Sequence, residues 1–316
     1  MTDKFYLDEA ISDLHSILDM VRWAVSRFND AELYYGHGTD NVWDEAVNLV
    51  FYALHLPHEL TAKTGDGLFA AKLTTSERTK IAELVLQRVQ TRLPLPYITN
   101  QAYFCNLPFY VDERVLIPRS PFAELIQQQF APWLANPPQR VLDMCTGGGC
   151  IAIAMAYAFE DAEVDAVDIS DDALAVAELN IEEHGLGDRV YPLYSDLFTQ
   201  LQGQKYDLIV SNPPYVDAED MADLPVEFQH EPELALAAGD DGLDLVETII
   251  RQAPDYLSDQ GVLFVEVGNS LVHMANRFPG LEIEWVELAH GGHGIFAVTK
   301  AALDSYKQQE KEIHGG

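Results

Sequence analysis

Val141-Leu142-Asp143-Met144-Cys145-Thr146-Gly147-Gly148-Gly149-Cys150-Ile151-Ala152 is a hydrophobic strand that runs into a glycine turn and leaves it as an apolar helix. Glycines at such a turn let the backbone bend sharply and approach a ligand closely, which a side chain there would obstruct. Around this stretch the chain alternates apolar β-branched runs with helical ones. Val141 to Met144, Val164 to Val167, Val190 to Leu193 and Leu208 to Val210 read as strands, with helices between the first three. That alternation predicts an α/β fold built on a mostly parallel, doubly wound sheet. Val262 to Val267 predicts a further strand, and Ile283 to Val286 with Gly294 to Val298 predicts a terminal hairpin around Gly291-Gly292.

Asp168 follows the second strand, nineteen residues after Gly149, where a carboxylate can accept hydrogen bonds from both hydroxyls of a ribose. The spacing Gly147-x-Gly149-x-x-Ala152 matches a dinucleotide fingerprint too, so by itself it leaves nicotinamide enzymes open. Asp143 discriminates between the two. At the strand end before the glycines it would repel a pyrophosphate, whereas the cationic amino-acid end of S-adenosylmethionine would welcome it. Asp196, after the third strand, can accept from an adenine amino group or can instead cap a helix.

The strand Tyr206 to Val210 leads into Ser211-Asn212-Pro213-Pro214-Tyr215, at the carboxyl edge of the sheet where open α/β folds bind ligands. A planar nitrogen awaiting a methyl group keeps its lone pair in resonance, so acceptors must grip its N–H groups and aim it. Asn212 offers a side-chain carbonyl and Pro213 a backbone one, and the two prolines hold that backbone rigid. Tyr215 adds an aromatic face that can stack on a planar amide and face a sulfonium charge.

The 316 residues carry 19 Lys plus Arg against 51 Asp plus Glu, a net charge of −32 that repels phosphate backbones. No Lys or Arg lies between Tyr206 and Ile250, where there are twelve acids, seven of them from Asp217 to Glu233. An acidic rim beside the site would attract a basic protein segment and repel nucleic acid, so no stable nucleic-acid binding is expected. The N-terminus lacks a signal pattern and no apolar run approaches the ~20 residues of a membrane span, which predicts a cytoplasmic protein without a membrane partner. Cys105, Cys145 and Cys150 fit neither a disulfide ladder nor a metal motif, and His37, His230, His290 and His293 are scattered. No metal site is expected.

Residues 1–93 show helical periodicity. Ile11, Leu14, Leu18, Val21, Val25 and Phe28 mark one amphipathic helix, Asn41 caps a second containing Val47, Val50 and Leu54, and Ile81 to Val89 supplies a third. Residues 94–121 read as a β-hairpin linker built on Ala102-Tyr103-Phe104 and Phe109-Tyr110-Val111, residues 122–301 as the catalytic domain, and residues 302–316 as a loose polar tail.

The N-terminal helical region, Val115-Leu116-Ile117-Pro118-Arg119, the loop from Asp143 to Gly149, Asp168, Asn212 to Tyr215 and Glu231-Pro232-Glu233-Leu234-Ala235-Leu236 together resemble the protein-glutamine N5-methyltransferases. That family implies a class I Rossmann-like fold with a seven-stranded, mostly parallel sheet, and S-adenosylmethionine as donor with S-adenosylhomocysteine as product. By resemblance Asp143, Thr146, Gly147, Gly149, Asp168, Asp196, Leu197 and Asn212 hold the cofactor. Asn212, Pro213 and Tyr215 are implied as catalytic, and Asn212, Pro213, Pro214, Tyr215 and Arg119 as the substrate site. The branch acting on peptide-release factors typically has Pro-Arg-Pro, where this chain reads Pro118-Arg119-Ser120. Tyr34-Tyr35-Gly36-His37-Gly38-Thr39-Asp40-Asn41 and Met144-Cys145-Thr146 look instead like the branch that methylates large-subunit ribosomal protein three. Release-factor methylation, adenine-N6 methylation of DNA and a non-catalytic acidic module for a basic ribosomal protein are the alternatives.

Overall fold

The computed structural model describes residues 2–60, 67–289 and 291–314; His290 lies outside them. In chain order the elements are α1 (Thr2–Asp13), α2 (Ile17–Asp30), α3 (Val42–Ala53), α4 (Thr75–Thr91), α5 (Leu95–Thr99), β1 (Ala102–Phe104), β2 (Leu107–Phe109), α6 (Phe122–Gln127), β3 (Arg140–Met144), α7 (Cys150–Ala158), β4 (Glu163–Asp168), α8 (Asp171–Glu183), β5 (Val190–Tyr194), β6 (Tyr206–Ser211), α9 (Ala218–Ala222), α10 (Asp244–Gln252), β7 (Leu257–Glu266), α11 (Leu271–Arg277), β8 (Glu284–Trp285), β9 (Ile295–Thr299) and α12 (Lys300–His314). The chain divides into two compact units, one of residues Met1–Gln101 with Pro225–His230 and one of Ala102–Leu224 with Glu231–Gly316. The boundary therefore falls at Gln101 rather than at 93, and the hairpin β1–β2 belongs with the larger unit.

In the larger unit seven strands form one sheet in the order β5-β4-β3-β6-β7-β9-β8. The pairs from β5 through β7 are parallel, while β9 runs antiparallel to both β7 and β8. Every strand expected of this sheet is present, including the terminal β8–β9 pair, whereas the second strand of the hairpin is Leu107–Phe109 rather than Phe109 to Val111. Helices cover both faces of such a sheet, so its central strands are apolar on both sides. Along β3, Val141 packs into one core with α7 and Leu142 and Met144 into the opposite one. Strand order reverses between β3 and β6, and at that switch point the carboxyl ends of neighbouring strands leave a crevice.

The smaller unit is helical, as expected, but the first long helix is two. Ser16 caps α2 in a reciprocal box with Asp19, and the break shifts the buried stripe to Ile17, Met20, Val21, Ala24 and Phe28. Leu18, placed on the apolar face by periodicity, is 46% exposed. Asn41 caps α3 as expected, accepting from the Asp44 amide at 3.0 Å. Arg88 is fully buried in this unit, 2.7 Å from Glu45, and Arg92 lies 2.7 Å from the buried Glu227. Such pairing offsets the cost of burying these carboxylates.

The segment from residue 302 is not a loose tail. It is α12, whose Leu303 and Tyr306 enter the core with Leu257 and Val298 while Arg251 pairs with Glu310. The polar composition that suggested a tail belongs to the helix's outer face. Leu303→Ala should cost about 2–5 kcal/mol of unfolding free energy, as for other buried Leu truncations, seen as a lowered urea midpoint. A loose tail would leave the midpoint unchanged.

Candidate active site

Two loops leave the sheet at the switch point, one after β3 and one after β6. Met144 and Ser211 are partners in the parallel β3–β6 ladder, and the Ser211 hydroxyl donates to the Met144 carbonyl at 2.9 Å. The glycine turn and Asn212-Pro213-Pro214-Tyr215 therefore start side by side.

The first loop turns through left-handed backbone at Cys145, Gly147 and Gly149, with φ of 62°, 55° and 82°. For Cys145 that conformation is strained, as residues at ligand-facing turns often are. A Cβ at Gly149 would press on Ala177 of α8 at 3.3 Å, so this glycine sets how closely the turn packs on that helix. Asp143 lies behind the turn, fully buried, accepting from the Thr146 hydroxyl at 2.6 Å and the Ala152 amide at 3.0 Å through one oxygen. Its other oxygen, Oδ1, has no partner among the described residues. Burial pushes the Asp143 carboxyl up to about 7.

At the end of β4 Asp168 takes the Gly147 amide on one oxygen at 2.9 Å and the Ser170 amide on the other at 3.0 Å. Each oxygen keeps a lone pair for a further donor. Burial raises the pKa of Asp168 too.

A cavity at the switch point is walled by Gly147, Asp168, Asp196, Leu197, Asn212 and Pro214 among the residues expected from the sequence. Asp143, Thr146 and Gly149 stand behind that wall and shape it, and Pro213, Tyr215 and Arg119 are also outside it. The segment after Asp196 is a turn rather than a helix, so Asp196 serves no helix as a cap. Sequence reasoning missed much of the apolar wall, to which Val115, Leu116, Ile169 and Leu245 contribute. Ile169 had a readable signal, since it follows the strand-end acid directly.

On the second loop the side-chain oxygen Oδ1 of Asn212 is buried without a partner among the described residues. A buried amide oxygen left so costs about 1–3 kcal/mol, which a donor arriving from a ligand would recover. The prolines that follow are both buried. Tyr215 is half-buried, and its hydroxyl donates to Glu266 at 2.9 Å.

Arg119, expected at the substrate site, is engaged in the structure by a buried carboxylate. Its two terminal nitrogens grip both oxygens of the buried Glu231, at 2.6 and 2.8 Å, and the Ile117 amide adds a third bond to that carboxylate at 3.0 Å. Arg119 thus ties the segment Glu231 to Leu236 to the strap before α6. Among the seven acids from Asp217 to Glu233, Glu227 and Glu231 are buried and ion-paired, while Glu219, Asp220, Asp223 and Glu233 are exposed. Fewer acids of this stretch are exposed than the count suggested.

Residues 124–239 match the family described as the methyltransferase small domain. The chain is 47% identical over 306 residues to the ribosomal protein uL3 glutamine methyltransferase of Francisella tularensis, covering 96% of each protein. It is also 47% identical over 295 residues to the ribosomal protein uL3 glutamine methyltransferase of Bordetella pertussis, covering 93% of this chain and 98% of that one.

The raised pKa of Asp143 has a testable sign. The folded protein binds this proton more tightly than the unfolded chain, whose carboxyl titrates near 3.8, so the group's contribution to stability is lost as pH rises from about 4 to about 7. Asp143→Asn, which keeps an acceptor for the Ala152 amide, should gain stability relative to the unliganded wild type across that window and show a constant difference above it. Urea titrations at a series of pH values read this directly; a difference that stays flat from pH 4 to 7 contradicts it.

Proposed function

The chain belongs to the family of ribosomal protein uL3 glutamine methyltransferases, and we propose that it transfers a methyl group from S-adenosylmethionine to the side-chain nitrogen of a glutamine in ribosomal protein uL3. The single observation that carries the site assignment is the buried, unpartnered Oδ1 of Asn212 beside the cavity.

The residues fit the donor. Asp168 has free lone pairs for two ribose hydroxyls, the glycine turn presents backbone rather than side chains, and apolar walls at Ile169 and Leu197 suit an adenine ring. Thr146 and Gly149 act from behind the wall by fixing Asp143 and the turn. The unpartnered Oδ1 of Asp143 favours a cationic ammonium nearby. When bound, the donor supplies an electrophilic methyl on a sulfonium.

The chain supplies the grip on the amide. Asn212 Oδ1 accepts one N–H of the glutamine and the Pro213 carbonyl accepts the other, so the nitrogen is held with its face toward the methyl. Tyr215 packs against the amide plane, and Pro214 keeps the backbone from relaxing. Two acceptors suit a primary amide, which brings two hydrogens. The exposed acids Glu219, Asp220, Asp223 and Glu233 favour the approach of a basic protein segment over a nucleic acid. Full-length similarity to uL3 enzymes, together with Ser120 after Arg119, ranks uL3 above release factors, and the charge of −32 ranks both above DNA.

Purified enzyme given labelled donor and, separately, uL3, a release factor and plasmid DNA should label uL3 on a glutamine, located by mass spectrometry. Label in DNA alone would reverse the assignment. Asn212→Ala should lower turnover on the order of 10²-fold, the usual loss when one preorganised hydrogen-bond partner is removed, with donor affinity by calorimetry within about threefold of wild type. Near-normal turnover in that variant contradicts the proposed grip.

A further inference from the structure

We propose that Glu266 is the positioning residue for the Tyr215 ring, holding its hydroxyl through a carboxylate that Ser120 orients from the opposite side. The inference rests on the reading of Tyr215 as the surface against which the glutamine amide packs.

Glu266 closes β7, the strand beside β6, one residue past the Ser211–Val265 rung. It is 4% exposed in an otherwise apolar run, where burial raises the pKa of its carboxyl and both oxygens need to be satisfied. Both are. Oε1 accepts the Tyr215 hydroxyl at 2.9 Å and Oε2 accepts the Ser120 hydroxyl at 2.5 Å. Ser120 is itself buried, and its oxygen accepts the Phe122 amide at 3.1 Å, which directs its hydrogen to Glu266.

The rest of Tyr215 is confined as well. Its carbonyl accepts the Ser270 hydroxyl at 2.9 Å, and a side chain at Gly242 would collide with that carbonyl. A Cβ at Gly268 would come within 2.5 Å of the ring edge, so the ring lies directly on the backbone there. Carbonyl, ring edge and hydroxyl are thus held separately, the carbonyl by Ser270 and the hydroxyl by Glu266. Releasing the hydroxyl lets the ring pivot on its Cα, and displacements of about 1 Å at a reacting centre cost on the order of 10²-fold in rate. Glu266 itself does not line the cavity.

The experiment compares steady-state kinetics of Glu266→Leu, Glu266→Gln, Tyr215→Phe and the double variant Tyr215→Phe with Glu266→Leu, using uL3 as acceptor. Glu266→Leu should lose on the order of 10²-fold in kcat with KM for the donor within about threefold of wild type. Glu266→Gln keeps an acceptor for the Tyr215 hydroxyl and should recover most of that loss. The double variant should turn over no more slowly than Tyr215→Phe alone, because the two changes remove the same contact. Wild-type kcat in Glu266→Leu, or losses that multiply in the double variant, overturns the inference. If Glu266→Leu does not fold, Ser120→Ala and Tyr215→Phe make the equivalent cycle, and multiplicative losses there overturn it too. A wild-type enzyme that leaves uL3 unmethylated while binding the donor overturns this inference together with the proposed function, whereas active wild type with an indifferent Glu266→Leu overturns this one alone.

Discussion

Met144 and Ser211 face each other at the end of the β3–β6 ladder, and the chemistry of the chain depends on that pairing. In a parallel pair the register decides which loops emerge together, and a slip of one residue would turn every side chain to the other face. With the register as it is, the loop that shapes the donor cavity and the loop that carries Asn212 begin from adjacent strands. The hydroxyl of Ser211 bonds the Met144 carbonyl across the same rung and so joins the two starting points directly.

Around that rung the protein tolerates local costs. Cys145 takes a left-handed backbone, Asp143 is buried with one oxygen unpartnered, and Asn212 keeps an orphaned buried acceptor, the latter two judged among the described residues. Each is unfavourable for the free protein, and the open acceptor of Asn212 is relieved, on the proposed reading, by an N–H that the substrate brings. Neighbouring polar groups are fully engaged by contrast. Glu231 takes three hydrogen bonds and Glu266 two, so the frame around the open acceptors is rigid. Preorganisation of this kind places the cost in folding rather than in the reaction step.

Much of this was readable from the residues. The strand pattern and the glycine turn predicted the sheet, because buried parallel strands need continuous apolar runs and the turn needs glycine. Asn212 to Tyr215 stood out because two prolines after a strand have few other uses. What stayed hidden depended on long-range partners. Nothing local told that Arg119 would spend its charge on Glu231, 112 residues away, or that Glu266 would meet Tyr215 and Ser120. Glu266 did leave a trace, as a carboxylate at the end of an apolar strand, which is rarely placed without a partner. Periodicity misjudged α1 and α2 because the capping box at Ser16 resets the helical phase. Polar composition misjudged α12 because Leu303 and Tyr306, with Ala302 packed beside them, suffice to dock a helix whose outer face is polar.

The central claim is that Asn212 Oδ1 is an open acceptor for the substrate amide. A crystal structure of the enzyme with S-adenosylhomocysteine and a glutamine-containing segment of uL3 tests it most directly. The account predicts the glutamine nitrogen about 2.7–3.2 Å from both Asn212 Oδ1 and the Pro213 carbonyl, with the Tyr215 ring against the amide plane. A glutamine bound elsewhere, or an Asn212 oxygen occupied by the cofactor in place of the amide, would contradict it.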